Sequence, residues 1–378
     1  MLLIEGKPGS GKSTLTKYFK NNLFEREPLA KQPTVASFFY SRREGELQTN
    51  HSNMLRSILH DVLHQNETFF FHFQSLYRKT QHGTLEWNYD SLKRILLSFK
   101  EHPAMERLYI IVDAMDESDD NDRRDIIHLL YQLCEAKKLC IVKVFLASRP
   151  IAGLSQGLTE IKNIIKLQDE NKPDILKFVE SFLANLKLSP TYHRDVKDYT
   201  VRNAQGVFVW VHLVGEELLK YAETGCNNKE IHKFLESLPK ELDSFYEHIL
   251  VKLEKNERRD IEVGLRVFQL ILFACRPLRV QEIQHALAIP DDIDTEYTPS
   301  AESFEENMIY DIVKRIIHCG GNFLDIKGPH EFSYSPSTFV LLTFIRKRYT
   351  SIYASNCSQV LLTAPPTRSN LSIQDERG

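Results

Sequence analysis

An α/β domain built on a parallel sheet flanked by helices, followed by an all-α helical bundle and a winged-helix-like unit, is the architecture the sequence predicts. Three observations predict it. Gly6-Lys7-Pro8-Gly9-Ser10-Gly11-Lys12-Ser13 fits the pattern GxxxxGK[ST] of a phosphate-binding loop, with the apolar run Leu2 to Ile4 before it and a helix-compatible run, Ser13 to Leu23, after it. Leu108 to Val112 is a continuous apolar run closing on Asp113, as expected of a central strand buried on both faces of a parallel sheet. Beyond residue 172 the alternation of strand and helix stops, and apolar stripes at helical spacing take over. The first two signals together define an α/β P-loop NTPase core.

Each element follows in order. The first strand is expected at 2–4, directly at the initiator Met. A nucleotide-binding sheet ordinarily has chain before it to cover its edge and the base, so a missing N-terminal segment is expected. In the loop that follows, glycines at 6, 9 and 11 let the backbone curl and aim N–H groups at phosphate oxygens, and the next helix adds its positive end. Lys12 is suited to reach the β and γ phosphates and Ser13 to coordinate Mg²⁺. The nucleotide-contacting set is therefore Gly6, Pro8, Gly9, Ser10, Gly11, Lys12, Ser13 and Thr14.

Thr34 to Tyr40 is β-branched and aromatic and reads as the second strand; Leu55, Ile58, Leu59, Val62 and Leu63 then recur at helical spacing. Arg42 and Arg43 between them read as a solvated loop. From Phe69 to Lys100 only Trp87 to Leu97 reads as helix. Asp113, at the end of the third strand, fits a carboxylate that holds Mg²⁺ beside Ser13, and Asp116 and Glu117 lie where a group orienting the attacking water is needed. Ser118, Asp119 and Asp120 read as N-terminal caps of a helix over 122–136.

A fourth strand, Ile141 to Ala147, ends in Ser148-Arg149-Pro150, where the Arg149 guanidinium is placed to sense the γ-phosphate. Ile161 to Leu167 supplies a fifth strand. Asn171-Lys172-Pro173-Asp174 spells the NKxD by which GTPases read guanine, but Pro173 and Asp174 suit the first turn of a helix over 173–186. The cofactor expected is ATP or GTP with Mg²⁺.

Helices over 207–221, 231–238, 241–254 and 260–275 follow. Arg276 to Ile289 reads as an extended lead-in to a helix, and a helix at 305–317 with a strand-like stretch at 322–326 suits a winged-helix unit. Ser, Asn, Thr and Pro dominate from about 351, which predicts a disordered tail. The domain boundaries expected are 1–170 for the NTPase core, 171–240 for a helical domain, 241–345 for the winged-helix-like domain and 346–378 for the tail.

Composition bounds the function. With 378 residues, 42% hydrophobic and 26% charged, the chain has room for two or three domains. A formal net charge of −3 supplies no electrostatic case for nucleic acid or membrane, because nonspecific binding to polyanions rests on surplus Lys and Arg. The six cysteines form no CxxC pair, which argues against a zinc site or disulfide framework and for a reducing compartment. Met1 to Ile4 is too short for a signal-peptide core, so a cytoplasmic location is expected.

On these motifs the chain resembles the fungal NACHT NTPases, signal-transduction ATPases of the STAND class related to vegetative and heterokaryon incompatibility proteins, with a nephrocystin-3-like N-terminal P-loop domain. The stretches that carry the resemblance are Gly6 to Leu15, Phe38 to Arg43, Leu108 to Glu117, Ala147 to Pro150, Gly206 to Val214 and Arg276 to Ile289. The resemblance implies a switch that is closed with ADP and open and oligomeric with ATP, flanked by an effector domain and sensor repeats. It matches Asp113 to the magnesium aspartate, Asp116 and Glu117 to the acidic cluster and Arg149 to the sensor. Gly206 falls on a Gly-x-Pro that contacts nucleotide in related families, with Phe208 in place of the proline. Tyr334 stands where a late histidine is expected. Two functions follow as expectations: a switch that slowly hydrolyses nucleotide to control self-association, or a truncated, inactive regulator that binds full-length relatives.

Overall fold

A computed structural model of the chain describes residues 1–334 except 27–32, 82–86, 105, 136–138, 152–160, 256, 275–277, 290–300, 321–323 and 328–330. The predicted tail therefore lies outside the described residues, as do residues 335–345 of the winged-helix-like domain expected over 241–345. The chain divides into two compact units, Met1–Lys240 and Glu241–Gly378.

The first unit is built on five parallel strands: β1 (Leu2–Glu5), β2 (Thr34–Phe39), β3 (Glu106–Asp113), β4 (Cys140–Ser148) and β5 (Ile164–Lys166). Their spatial order is β2-β3-β4-β1-β5. β4 thus lies between the strand that feeds the phosphate loop and the strand that ends in Asp113, with Leu3 opposite Leu146 and Ile111 opposite Phe145. Alternation along β3 feeds two cores. Leu108, Ile110 and Val112 face α2 (His51–Gln65), α4 (Tyr89–Ser98) and α5 (Arg123–Leu133), through Met54, Leu55, Ile58, Leu92, Leu96, Ile126 and Leu130. Tyr109 and Ile111 face α1 (Lys12–Arg26), through Leu23, Phe19 and Leu15. Each buried aliphatic side chain of this strand contributes about 1.5–3 kcal/mol relative to exposure.

Between α2 and α4 the chain forms α3 (Phe70–Gln81), within the stretch that reads as featureless in the sequence. Its aromatic residues fall on both faces: Phe73 is buried, whereas Phe71 is 67% exposed.

After β5 come a single turn, α6 (Leu167–Glu170), and the helices α7 (Lys172–Leu183), α8 (Pro190–Ala204), α9 (Phe208–Ala222) and α10 (Asn228–Ser237). Pro173 sits at the start of α7, as the Asn-Lys-Pro-Asp spelling leads one to expect of a helix N-terminus. α10 opens on a capping box, Asn227 accepting from the Glu230 N–H while the Glu230 carboxylate accepts from the Asn227 N–H. Trp210 is buried in α9 and donates its indole N–H to the Pro239 carbonyl at 2.9 Å.

The second unit holds α11 (Leu242–Leu253), α12 (Arg258–Phe273), α13 (Val280–Ala288), α14 (Ala301–Glu306), α15 (Ile312–Gly320) and an antiparallel hairpin of β6 (Leu324–Lys327) and β7 (Glu331–Tyr334). Of the helix expected over 305–317, residues 305–306 end α14, residues 307–311 are not helical, and α15 begins at Ile312. The Asp311 carboxylate accepts the Lys314 N–H at 3.3 Å and starts α15 afresh, which the uninterrupted apolar spacing conceals. α12 and α15 cross closely, since a Cβ on Gly264 would lie 2.7 Å from the Cys319 carbonyl oxygen. Asp260 joins them, pairing with Arg315 at 2.6 Å and His318 at 2.8 Å. Among the described residues no helix is long and apolar enough to cross a membrane.

Candidate functional site

The carboxyl ends of β1, β3 and β4 lie side by side, where open parallel sheets place ligand sites. β1 runs into the loop Gly6–Gly11, and its turn needs glycine at two positions: Gly9 has φ 73° and Gly11 φ 91°. Gly6 is constrained by crowding, for a Cβ there would meet the Ser10 hydroxyl at 2.4 Å. Lys12 opens α1 and turns back over the loop, donating to the carbonyls of Gly6 at 2.7 Å and Lys7 at 3.1 Å. Burial lowers its pKa, against the field of Asp116, Asp113 and Glu117, which raises it, and of Arg149, which lowers it further. Ser13 and Thr14 stand exposed in the first turn of α1, and Pro8 is exposed on the loop.

Asp113 ends β3 with only 2% of its surface exposed. The Thr16 hydroxyl donates to its carboxylate at 3.3 Å, and it, the nearby Ser13 hydroxyl and the Lys12 ammonium favour the charged form; burial nonetheless raises its pKa. Ala114 follows in the left-handed region at φ 54°, so the chain turns sharply and presents Asp116 and Glu117 toward the loop. Asp116 accepts from the Arg149 backbone N–H at 2.9 Å and pairs with its guanidinium at 3.2 Å. Arg149 therefore reaches the site from β4 already paired with a carboxylate. The structure brings Lys12, Asp113, Asp116, Glu117 and Arg149 together.

Three features escape the sequence reading. Arg42, read as part of a solvated loop, lies against the acidic turn. Its backbone N–H donates to the Glu117 carboxylate at 3.2 Å, and its guanidinium to the carbonyls of Glu117 at 3.4 Å and Asp116 at 3.5 Å. Secondly, Asp120 and Ser118 hold Arg123 instead of capping α5. Asp120 pairs with it at 2.7 Å and the Ser118 hydroxyl accepts from its Nε at 2.9 Å, while no side chain caps the helix. Thirdly, Asn171, the first residue of the GTPase-like tetrapeptide, is buried, and its amide donates to the carbonyls of Ser10 at 3.2 Å and Gly206 at 2.8 Å.

Gly206 begins the turn that seats α9 on the phosphate loop. Val209 N–H donates to the Gly9 carbonyl at 3.3 Å, Lys7 donates to Gln205 at 3.0 Å, and the Phe208 ring would touch a Cβ on Gly11 at 3.4 Å. The phenylalanine thus lies against the loop at the position where the resemblance leads one to expect proline.

These residues fit a phosphorylated ligand. A glycine cradle that side chains would fill, a lysine folded over it and exposed hydroxyls at a helix N-terminus suit bound phosphates. Among the described residues no three His, Cys, Asp or Glu side chains gather to hold a metal ion, so a cation held by Ser13 and Asp113 would take the rest of its shell from water and phosphate oxygens.

Known proteins share parts of this chain. Residues 1–149 match the family described as Nephrocystin 3, N-terminal. The vegetative incompatibility protein HET-E-1 of Podospora anserina is 26% identical over 341 residues, covering 86% of this chain and 23% of that protein. The azaphilone pigments biosynthesis cluster protein L of Monascus ruber is 33% identical over 95 residues, covering 25% of this chain and 20% of that protein. The chain thus spans less than a quarter of the length of each of these relatives. Among solved structures, Drosophila ORC bound to DNA overlaps 90% of this chain and 80% of its own at 9% identity, with a TM-score of 0.38. The chain is a P-loop NTPase-like protein distantly related to fungal incompatibility proteins.

Proposed function

We propose that this chain is the nucleotide-binding part of a NACHT-type STAND switch, binding ATP or GTP with Mg²⁺, hydrolysing it slowly, and controlling self-association or association with full-length relatives. The observation that carries the reading is the convergence of the glycine cradle and Lys12 with Asp113, Asp116, Glu117 and Arg149 at three adjacent strand ends. In this reading Gly6, Pro8, Gly9, Ser10, Gly11, Lys12, Ser13 and Thr14 hold the phosphates, and Ser13 and Asp113 hold the cation. Bound Mg²⁺ supplies charge neutralisation across the phosphates. Asp116 and Glu117 orient water, and Arg149 leaves Asp116 for the γ-phosphate. The seating of α9 on the loop supports a response within the first unit, in which a ligand that moves the loop also moves the helical layer of 171–240. Residues 241–345 serve in this reading as a winged-helix-like body for protein contacts. The relation to an incompatibility protein supports a role in fungal nonself recognition or programmed cell death. DNA reading by α13 is disfavoured, because that helix carries Glu282 and little positive charge.

Titration with labelled ATP, ADP and GTP tests the proposal. Lys12→Ala is expected to abolish Mg²⁺-dependent binding, since lysine neutralises the phosphates in ground and transition states alike. Asp116→Asn with Glu117→Gln is expected to leave nucleotide bound and slow cleavage by about a hundredfold or more. Binding that is unchanged in Lys12→Ala would sink the reading.

A further inference from the structure

The acidic turn after β3 does not stand free. It is stitched to the segment between β2 and α2, where Asp119 N–H donates to the Thr49 carbonyl at 3.0 Å and Arg42 N–H to the Glu117 carboxylate at 3.2 Å. One buried side chain ties the far end of the turn to Tyr40, the residue that follows β2. His51, the first residue of α2 and 5% exposed, has its Nδ1 2.8 Å from the Tyr40 hydroxyl and its Nε2 3.1 Å from the Asp119 carbonyl oxygen. A carbonyl only accepts, so Nε2 carries the proton, and in the neutral ring Nδ1 accepts from Tyr40. Burial lowers the imidazole pKa and favours this neutral form. Tyr40 in turn is 3% exposed, and its own backbone N–H donates to the Asp113 carbonyl at 3.1 Å. The path Asp113, Tyr40, His51, Asp119 therefore brackets Asp116 and Glu117 on both sides. The ring also lies edge-on to Tyr40, with centroids 5.7 Å apart, so the ring and both its nitrogens are engaged by this one junction.

From this we infer that His51 is a positioning residue for nucleotide cleavage, holding the turn that carries Asp116 and Glu117 at a fixed height over the phosphate loop. The inference rests on the nucleotide reading above and adds a residue remote from the phosphates to it. Removing the staple lets the turn shift without disturbing the glycine cradle, Lys12 or Ser13. Binding and cleavage should then separate, because a misplacement of about 1 Å costs about a hundredfold in rate.

The test uses the full chain, with labelled ATP and Mg²⁺ for affinity and single-turnover hydrolysis for cleavage. His51→Leu is expected to bind ATP as the parent does and to cleave it about a hundredfold more slowly. His51→Gln, whose amide can still donate to the Asp119 carbonyl, is expected to recover most of the rate, which a packing role would not produce. Parental cleavage in His51→Leu overturns the inference, as does a loss of affinity and rate in equal proportion. If His51→Leu does not fold, Tyr40→Phe decides: slowed cleavage at unchanged affinity supports the staple, and parental cleavage removes it. A parent chain that does not bind ATP, or a Lys12→Ala variant that binds equally well, defeats the nucleotide reading itself and this inference with it.

Discussion

Asp113 illustrates how a residue can be placed for chemistry at the expense of the fold. Its carboxylate is almost wholly buried and its pKa is raised by that burial, despite the Thr16 hydroxyl that donates to it and the Ser13 hydroxyl nearby. Above the ordinary carboxylate range the unfolded chain has released this proton while the folded chain still favours keeping it, so ionised Asp113 opposes folding and stability falls as pH rises through the folded pKa. Asp113→Asn is therefore expected to be more stable than the parent at pH 7 without nucleotide, with the difference shrinking toward about pH 4, while losing Mg²⁺-dependent binding. Denaturant midpoints at the two pH values check the first part, and nucleotide titration the second. The residue types of this site were legible because phosphate chemistry requires them at fixed spacings next to strand ends. Arg42 and Asn171 were not, since both act through backbone carbonyls supplied by distant segments, and no local pattern in the sequence records a carbonyl's position.

At the scale of elements, those with one or both faces continuously apolar, such as β3 and α9, are legible in the sequence. α8 is not, because it buries only Val196, Thr200 and Ala204 and so shows about one inward residue per turn amid polar ones. α3 escapes for the opposite reason, carrying aromatics on buried and exposed faces alike. The turn from α8 to α9 bears on the site through Asn171, whose amide joins the Gly206 and Ser10 carbonyls. Gly206 has φ 79°, and a Cβ there would lie 2.4 Å from Gln168 Cα and 2.6 Å from its carbonyl oxygen. Gly206→Ala is expected to destabilise the first unit by about 2–4 kcal/mol, combining left-handed backbone strain with a backbone clash. A fall in the midpoint of urea denaturation, accompanied by weaker nucleotide binding, is the expected result; an unchanged midpoint would show that the turn relaxes freely.

For the molecule as a whole, every residue of the candidate site lies within Met1–Lys240, the first of the two compact units. Residues 1–240 expressed alone are expected to unfold in one cooperative transition and to bind labelled nucleotide as tightly as the full chain does. Calorimetry and titration of the fragment check this, and a fragment that folds but binds much more weakly would show that the second unit contributes to the site. Within the first unit, the Asn171 side chain offers a means of observation as well as a contact. Its single amide group is shared between Ser10 of the phosphate loop and Gly206 before α9, in a setting closed to solvent. Hydrogen exchange at that nitrogen requires the loop and the helix to part, so in a nitrogen-labelled sample its two proton resonances serve as a native timer for that separation, with no dye or added label.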